Sequence, residues 1–279
     1  MRIGVVAPAR GLDAGIAARA VAVARAHFPL AELVIHPQCF LREGHFAGAD
    51  DARAAAFVAM ANDPAIDAIW FARGGYGANR LLAKVMNALD PAAAGAKTYL
   101  GYSDTGFLLA ALYARGVGQV AHGPMVADLA RSGGEAAFVR ALGWLVDRRA
   151  ESVEPSLDGR PTIALNLSIA VALVGTRWLP DVAGHVLMIE EVAEPLYRVD
   201  RMLFQLASAP ALARLAGIRL GRMVDMLPND PPWAENEPVA VMIERWCGAL
   251  GVPWLGAADI GHDAGNRIVP FGTTDTGRR

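Results

Sequence analysis

The sequence predicts an α/β fold built on a parallel sheet, followed by a second domain. Two observations carry this. Through the first half, short apolar runs alternate with stretches of helical periodicity, the order that lays strands in parallel with helices on both faces. At residues 146–161 the texture then breaks, in a charged stretch (VDRRAESVEPSLDGRP) with two prolines and a glycine and no apolar period.

Taken in order, RIGVVAP (2–8) reads as the first strand and the alanine-rich stretch 14–27 as a helix with apolar residues at helical spacing. AELVIHP (31–37) is a second strand, and DDARAAAFVAMAND (50–63) a helix with Asp50 and Asp51 as caps. AIDAIWFAR (65–73) is a third strand running into glycines, NRLLAKVMNAL (79–89) a helix, and TYLGYS (98–103) a fourth strand with a helix after it. Ligand sites in such sheets form at the carboxyl ends of strands. Two loops fall there, ARGGYGANR (72–80) and GYSDTG (101–106). Past the break the strand-like runs shorten to HVLMIEEV (185–192) and ALGVPWL (249–255), with helices at 197–208 and 237–250. The division expected is residues 1–148 and 149–279.

Composition bounds the function. With 54% hydrophobic residues, 19% charged and a net charge of −2, the chain has no basic surplus for nucleic acid or anionic membranes. The run 161–176 (PTIALNLSIAVALVGT) is too short and too polar for a membrane span, and the N-terminus lacks the pattern of a signal peptide, so a soluble cytoplasmic protein is expected. Cys39 and Cys247 match no zinc, redox or disulfide spacing and are expected as buried free thiols.

GYSDT sets Ser103 between a strand and a helix, as a nucleophile elbow does, with the Asp104 N–H free for an oxyanion. The competing reading is a serine or aspartate capping the helix. The RGGYG loop (73–77) lacks the spacing and the lysine of a phosphate-binding loop. Its better use is a second oxyanion donor, the N–H of Gly75. A reactive serine needs a base, and the base an orienting acid. Of six histidines, His27 and His36 read as structural, His122 as able to line the pocket, and His262, in the loop DIGHDAGNRIVPFG, as the most suggestive candidate for the base, with a plain surface histidine as the competing reading. Glu190 and Glu191 end an apolar strand, where successive side chains point to opposite faces. One is expected to face the pocket and the other to be solvated, and spacing does not choose between them.

RGGYGANRLL, GYSDTGFLLAAL, HGPM, IEEVAEPLYRVDRML and GHDAGNRIVPFG, in this order, resemble the LD-carboxypeptidase family of serine peptidases, whose members include murein tetrapeptide carboxypeptidase and microcin C self-immunity proteins. The resemblance implies a flavodoxin-like or amidotransferase-like first domain and a smaller β-rich second one, with the site between them. It implies Ser103 as nucleophile, Glu190 as the acid that orients His262, no metal or organic cofactor, and release of a terminal D-alanine from cytoplasmic muropeptides in cell-wall recycling by a homodimer. A carboxypeptidase must read a terminal carboxylate, for which Arg73, Arg198 and Arg201 are candidates. Two departures stand out: Ala164 and Leu165 replace a glycine pair before NLS, which would make that loop bulkier, and Ala9 replaces a serine. They leave open an immunity-type activity on peptide–nucleotide conjugates, with Trp178 or Trp233 stacking the base, and a non-catalytic small-ligand binder.

Overall fold

The computed structural model describes residues 1–227, 229 and 238–273. β1 (Arg2–Val6), β2 (Glu32–Ile35), β3 (Ala68–Phe71), β4 (Thr98–Gly101) and β5 (Gln119–His122) form a parallel sheet in the order β2-β1-β3-β4-β5, the flavodoxin-like arrangement. Between them run α1 (Ala14–His27), α2 (Asp50–Asn62), α3 (Leu82–Ala88), α4 (Pro91–Gly95) and α5 (Gly106–Ala114), and after β5 comes α6 (Gly134–Asp147). Local chemistry starts α1 and α4, where Asp13 and Asp90 each accept from two free N–H groups, a cap that contributes about 1 kcal/mol. Asp50 and Asp51 do not cap α2 as expected: Ala49 holds the cap position without a side-chain bond, and the two aspartates lie in the first turn, paired with Arg53 and Arg80 and with Lys84.

The second, smaller sheet holds β6 (Thr162–Asn166), β7 (Val186–Val192), β8 (Gly217–Val224) and β9 (Trp254–Ala257), all parallel and in sequence order. Its connections are α7 (Leu167–Leu173), α8 (Leu196–Ala207) and α9 (Val239–Leu250). Parallel strands covered on both faces read as unbroken apolar runs, which is how VLMI in β7 reads. The chain then returns to the first sheet, where β10 (Val269–Pro270) pairs antiparallel with β5.

Strand alternation divides the core. Ile3, Val5, Trp70 and Leu100 pack on one face of the first sheet against Phe138, Leu142 and Trp144 of α6. On the other face, Phe71, Tyr99 and Leu108 belong to a core that continues without interruption into Leu165 and Ile189 of the second sheet and Leu203 of α8, which packs on it. The charged segment 146–161 is docked: Val153 bridges Ile268, and buried Glu154 accepts from Ser156 and from the Asp259 N–H at 3.0 Å. Cys39 and Cys247 are buried free thiols. Among the described residues no helix is long and apolar enough to cross a membrane.

Candidate active site

The chain leaves β4 through a sharp turn in which Ser103 has φ 57°, the left-handed region that costs an ordinary side chain about 1–2 kcal/mol. Ser103 caps nothing: its Oγ lies 3.0 Å from His262 Nε2. Asp104 does not cap either. Buried, with its pKa raised by desolvation against the opposing pull of Gly77 and Ala78 N–H groups and Arg53, it accepts from the Ala78 N–H at 2.9 Å and so ties the serine turn to the glycine-rich loop. That loop is close-packed. A Cβ on Gly74 would stand 3.0 Å from Ser103 Oγ, and one on Gly75, at φ 122°, would run into Arg10. The fully buried Arg53 fixes the far side by donating to the carbonyls of Pro8, Gly48 and Gly77.

His262 comes from the loop between β9 and β10. Its Nδ1–H donates to Glu190 Oε2 at 2.6 Å, which leaves Nε2 as the acceptor for the Ser103 hydroxyl. Burial pulls its pKa down, but the charge of Glu190 and its hydrogen bond outweigh this and hold it above the ordinary value of 6.5. The Tyr102 ring packs on the imidazole with centroids 4.8 Å apart, and Arg131 donates to the His262 carbonyl at 2.8 Å. Asn266 closes the loop on itself by accepting from the Gly261 N–H at 3.2 Å and from His122 Nε2 at 3.0 Å. His122 is wholly buried behind this contact; desolvation lowers its pKa to about 4 and keeps it neutral. It supports the loop from behind, beneath the surface of any pocket.

Both glutamates are buried, so the expectation of one solvated acid is wrong. Glu191 turns to the other face of β7 and accepts from Asn166 Nδ2 (2.6 Å), from the N–H (2.8 Å) and hydroxyl (2.6 Å) of Ser168, and from the Val192 N–H (2.9 Å). Desolvation raises its pKa against those four bonds. Glu191 therefore pins the start of α7 to β7. Its replacement by alanine strands two N–H groups, an amide and a hydroxyl, and is expected to cost about 2–4 kcal/mol of stability. Urea unfolding of Glu191→Ala and Glu191→Gln measures this; an alanine variant within 0.5 kcal/mol of wild type would refute the assignment, and the glutamine variant is expected to retain part of the loss.

The other sequence candidates separate. Arg198 pairs with Glu194 at 3.0 Å and Arg201 stacks on Tyr197, both on α8, whereas Arg73 adjoins Gly74 at the serine turn. Ala164 and Leu165 lie on β6, a buried strand and no loop, and Leu165 packs where a side chain on Gly106, at the start of α5, would go. Ala9, the other departure, is fully buried. His27 ends α1, and His36 accepts from the Gln38 N–H, a structural role. Trp178 is covered by the guanidiniums of Arg177 and Arg115, and Trp233 lies outside the described residues. Sequence reasoning missed Tyr102, Arg131, Arg53 and Asp128, the last accepting from the Tyr102 hydroxyl at 3.0 Å and from Arg131 at 2.8 Å; these hold the site but form no spacing motif. Among the described residues no group of three or more His, Cys, Asp or Glu could hold a metal ion.

A 2-1-3-4-5 parallel sheet joined to a smaller parallel sheet, with serine, histidine and glutamate meeting where the two adjoin, has the architecture of a serine-type hydrolase. The chain belongs to the LD-carboxypeptidase family: residues 3–123 match the family's N-terminal domain and residues 161–276 its C-terminal domain. It is 29% identical over 240 residues to the murein tetrapeptide carboxypeptidase of Pseudomonas aeruginosa, covering 76% of this chain and 72% of that one. Of solved structures, the muramoyltetrapeptide carboxypeptidase of Oxalobacter formigenes shares the fold with a TM-score of 0.78 at 24% identity, over 96% and 93% of the two chains. The wild-type microcin C7 self-immunity protein does so at 0.78 and 20% identity, over 97% and 91%. The protein is a serine carboxypeptidase by family.

Proposed function

We propose that this enzyme releases the terminal D-alanine of cytoplasmic muropeptide tetrapeptides in peptidoglycan recycling, through a Ser-His-Glu acyl-enzyme mechanism. The observation that carries it is the unbroken hydrogen-bonded chain from Ser103 Oγ through His262 (3.0 Å) to Glu190 (2.6 Å), begun by a serine held in the left-handed region. In this reading His262 Nε2 takes the Ser103 proton as Oγ attacks the scissile carbonyl, and the N–H groups of Asp104 and Gly75 receive the oxyanion. The imidazolium gives its proton to the leaving amine of D-alanine. Water, deprotonated by the same nitrogen, then hydrolyses the ester. Glu190 holds the tautomer and offsets the imidazolium charge. The scheme uses no metal or organic cofactor. The nucleophile belongs to the first domain (1–148) and its partners to the second (149–279), and the working species in this reading is a homodimer.

The alternative, an immunity-type peptidase on peptide–nucleotide conjugates, needs an aromatic face for the base. The stacking of two arginines on Trp178 disfavours that residue for the role. Incubation with an L-Ala, D-Glu, diaminopimelate, D-Ala tetrapeptide and, separately, with an aminoacyl sulfamoyl adenosine, read by mass spectrometry, tests the proposal. Loss of one alanine from the tetrapeptide is expected. Hydrolysis of the adenosine conjugate alone would transfer the assignment to the immunity type, and turnover of neither would favour the non-catalytic binder.

A further inference from the structure

Two arginines, Arg10 and Arg73, flank the glycine-rich loop that packs on the serine turn, and neither has an acid of its own. The backbone N–H of Arg10, just beyond β1, donates to the Gly74 carbonyl at 3.3 Å, and its aliphatic stem occupies the space a side chain on Gly75 would need, 2.5 Å from that ideal Cβ. Arg73 directly precedes Gly74, the residue packed against Ser103 Oγ. Among the described residues neither guanidinium makes a hydrogen bond or an ion pair. The nearby arginines are matched: Arg131 to Asp128 at 2.8 Å, Arg222 to Asp259 at 2.9 Å, Arg53 to Asp50. Arg73 is half-buried, and burial together with the charges of Arg10 and Arg131 lowers its pKa, with Asp128 opposing. Such a gathering of cations is unfavourable in the free protein, and an arriving carboxylate relieves it.

We infer that Arg73, seconded by Arg10, is the binding site for the free C-terminal carboxylate of the peptide. This rests on the carboxypeptidase reading of the Ser103 site. Reach decides which carboxylate is meant. In the tetrapeptide a single residue separates the scissile carbonyl from the chain terminus, at most about 3.6 Å of chain. The counter-ion must then sit on residues flanking the nucleophile and its oxyanion loop. Arg73 does, one residue before the Gly74–Gly75 pair, whereas Arg198 and Arg201 lie on α8 with partners of their own.

The test compares wild type, Arg73→Gln and Arg73→Lys on three peptides: the tetrapeptide acid, its C-terminal carboxamide, and the acid with lysine in place of diaminopimelate. Wild type is expected to prefer acid over carboxamide by about 10²-fold in kcat/KM, the scale of a lost charge-assisted pair. Arg73→Gln should lose most of that factor on both acids, mainly through KM, and little on the carboxamide. The lysine variant should recover part. An equal loss on acid and carboxamide would make Arg73 structural, and a loss confined to the diaminopimelate peptide would assign it to that side-chain carboxylate; either overturns the inference. Labelling of Ser103 by a fluorophosphonate separates the two levels. If the serine labels and wild type releases D-alanine while Arg73→Gln keeps its preference for the acid, only the carboxylate site falls; if wild type neither labels nor releases D-alanine, both fall.

Discussion

Replacing Ser103 by alanine is expected to lower kcat for D-alanine release by about 10⁴- to 10⁶-fold with the fold intact. In the proposed mechanism the substitution removes the attacking oxygen and keeps the Cβ of residue 103. Ser103 is partly buried, and the described partner of its hydroxyl is His262 Nε2 at 3.0 Å. Alanine can keep the backbone of residue 103 because the turn is held from outside, by Asp104 on the Ala78 N–H and by Thr105 Oγ1 on the Tyr102 carbonyl at 2.7 Å. Because residues of one relay act as a unit, Ser103→Ala combined with His262→Ala should be no worse than Ser103→Ala alone. Steady-state kinetics on the tetrapeptide, beside circular dichroism and thermal unfolding, checks both statements. A folded Ser103→Ala protein with more than one hundredth of wild-type kcat would exclude this serine as the nucleophile.

The second large effect is at Glu190. Glu190→Gln keeps the shape of the side chain but removes the charge that lifts His262, and an amide cannot fix the imidazole tautomer in the same way. A fall in kcat of about 10³- to 10⁴-fold is expected. The pH profile supplies an independent reading. The base must be neutral to act, so the acidic limb of kcat/KM in wild type should lie above the ordinary histidine value of 6.5. Without the carboxylate, burial of His262 is left to act unopposed by its main partner, and the limb should move to lower pH. A limb that stays in place in Glu190→Gln would mean that another group titrates there.

Much of this was legible in the sequence, and the gaps have physical causes. Strand–helix alternation gave the parallel sheet because each apolar run and each helical period is local, and α1 runs over the residues its period marks. The apolar run 161–176 carries no period that distinguishes strand from helix, and it divides at Asn166 into β6 and α7. Ser103, Glu190 and His262 could be named from ordered motifs; the structure brings the three into one hydrogen-bonded chain. The exposure of Glu191 was misread because alternation tells which face a residue takes and not whether that face is covered. β7 lies between β6 and β8, inside its sheet, so both faces are covered. Tyr102, Arg131 and Asn266 were invisible as supports, since each acts on a partner more than 100 residues away or across a turn.

The return of β10 to the first sheet has a thermodynamic corollary. The loop that carries His262 is anchored at both ends: Ile260 receives the Arg222 N–H in the second sheet, and Val269 pairs with His122 in the first. Between those anchors, Arg131 and Arg140, both from the first half of the chain, hold the carbonyls of His262 and Asn266. The halves cannot part like a hinge without tearing out the loop that bears His262. Loss of the reactive geometry and loss of the native state thus belong to one cooperative transition, and inactivation by heat or denaturant should follow the unfolding curve itself.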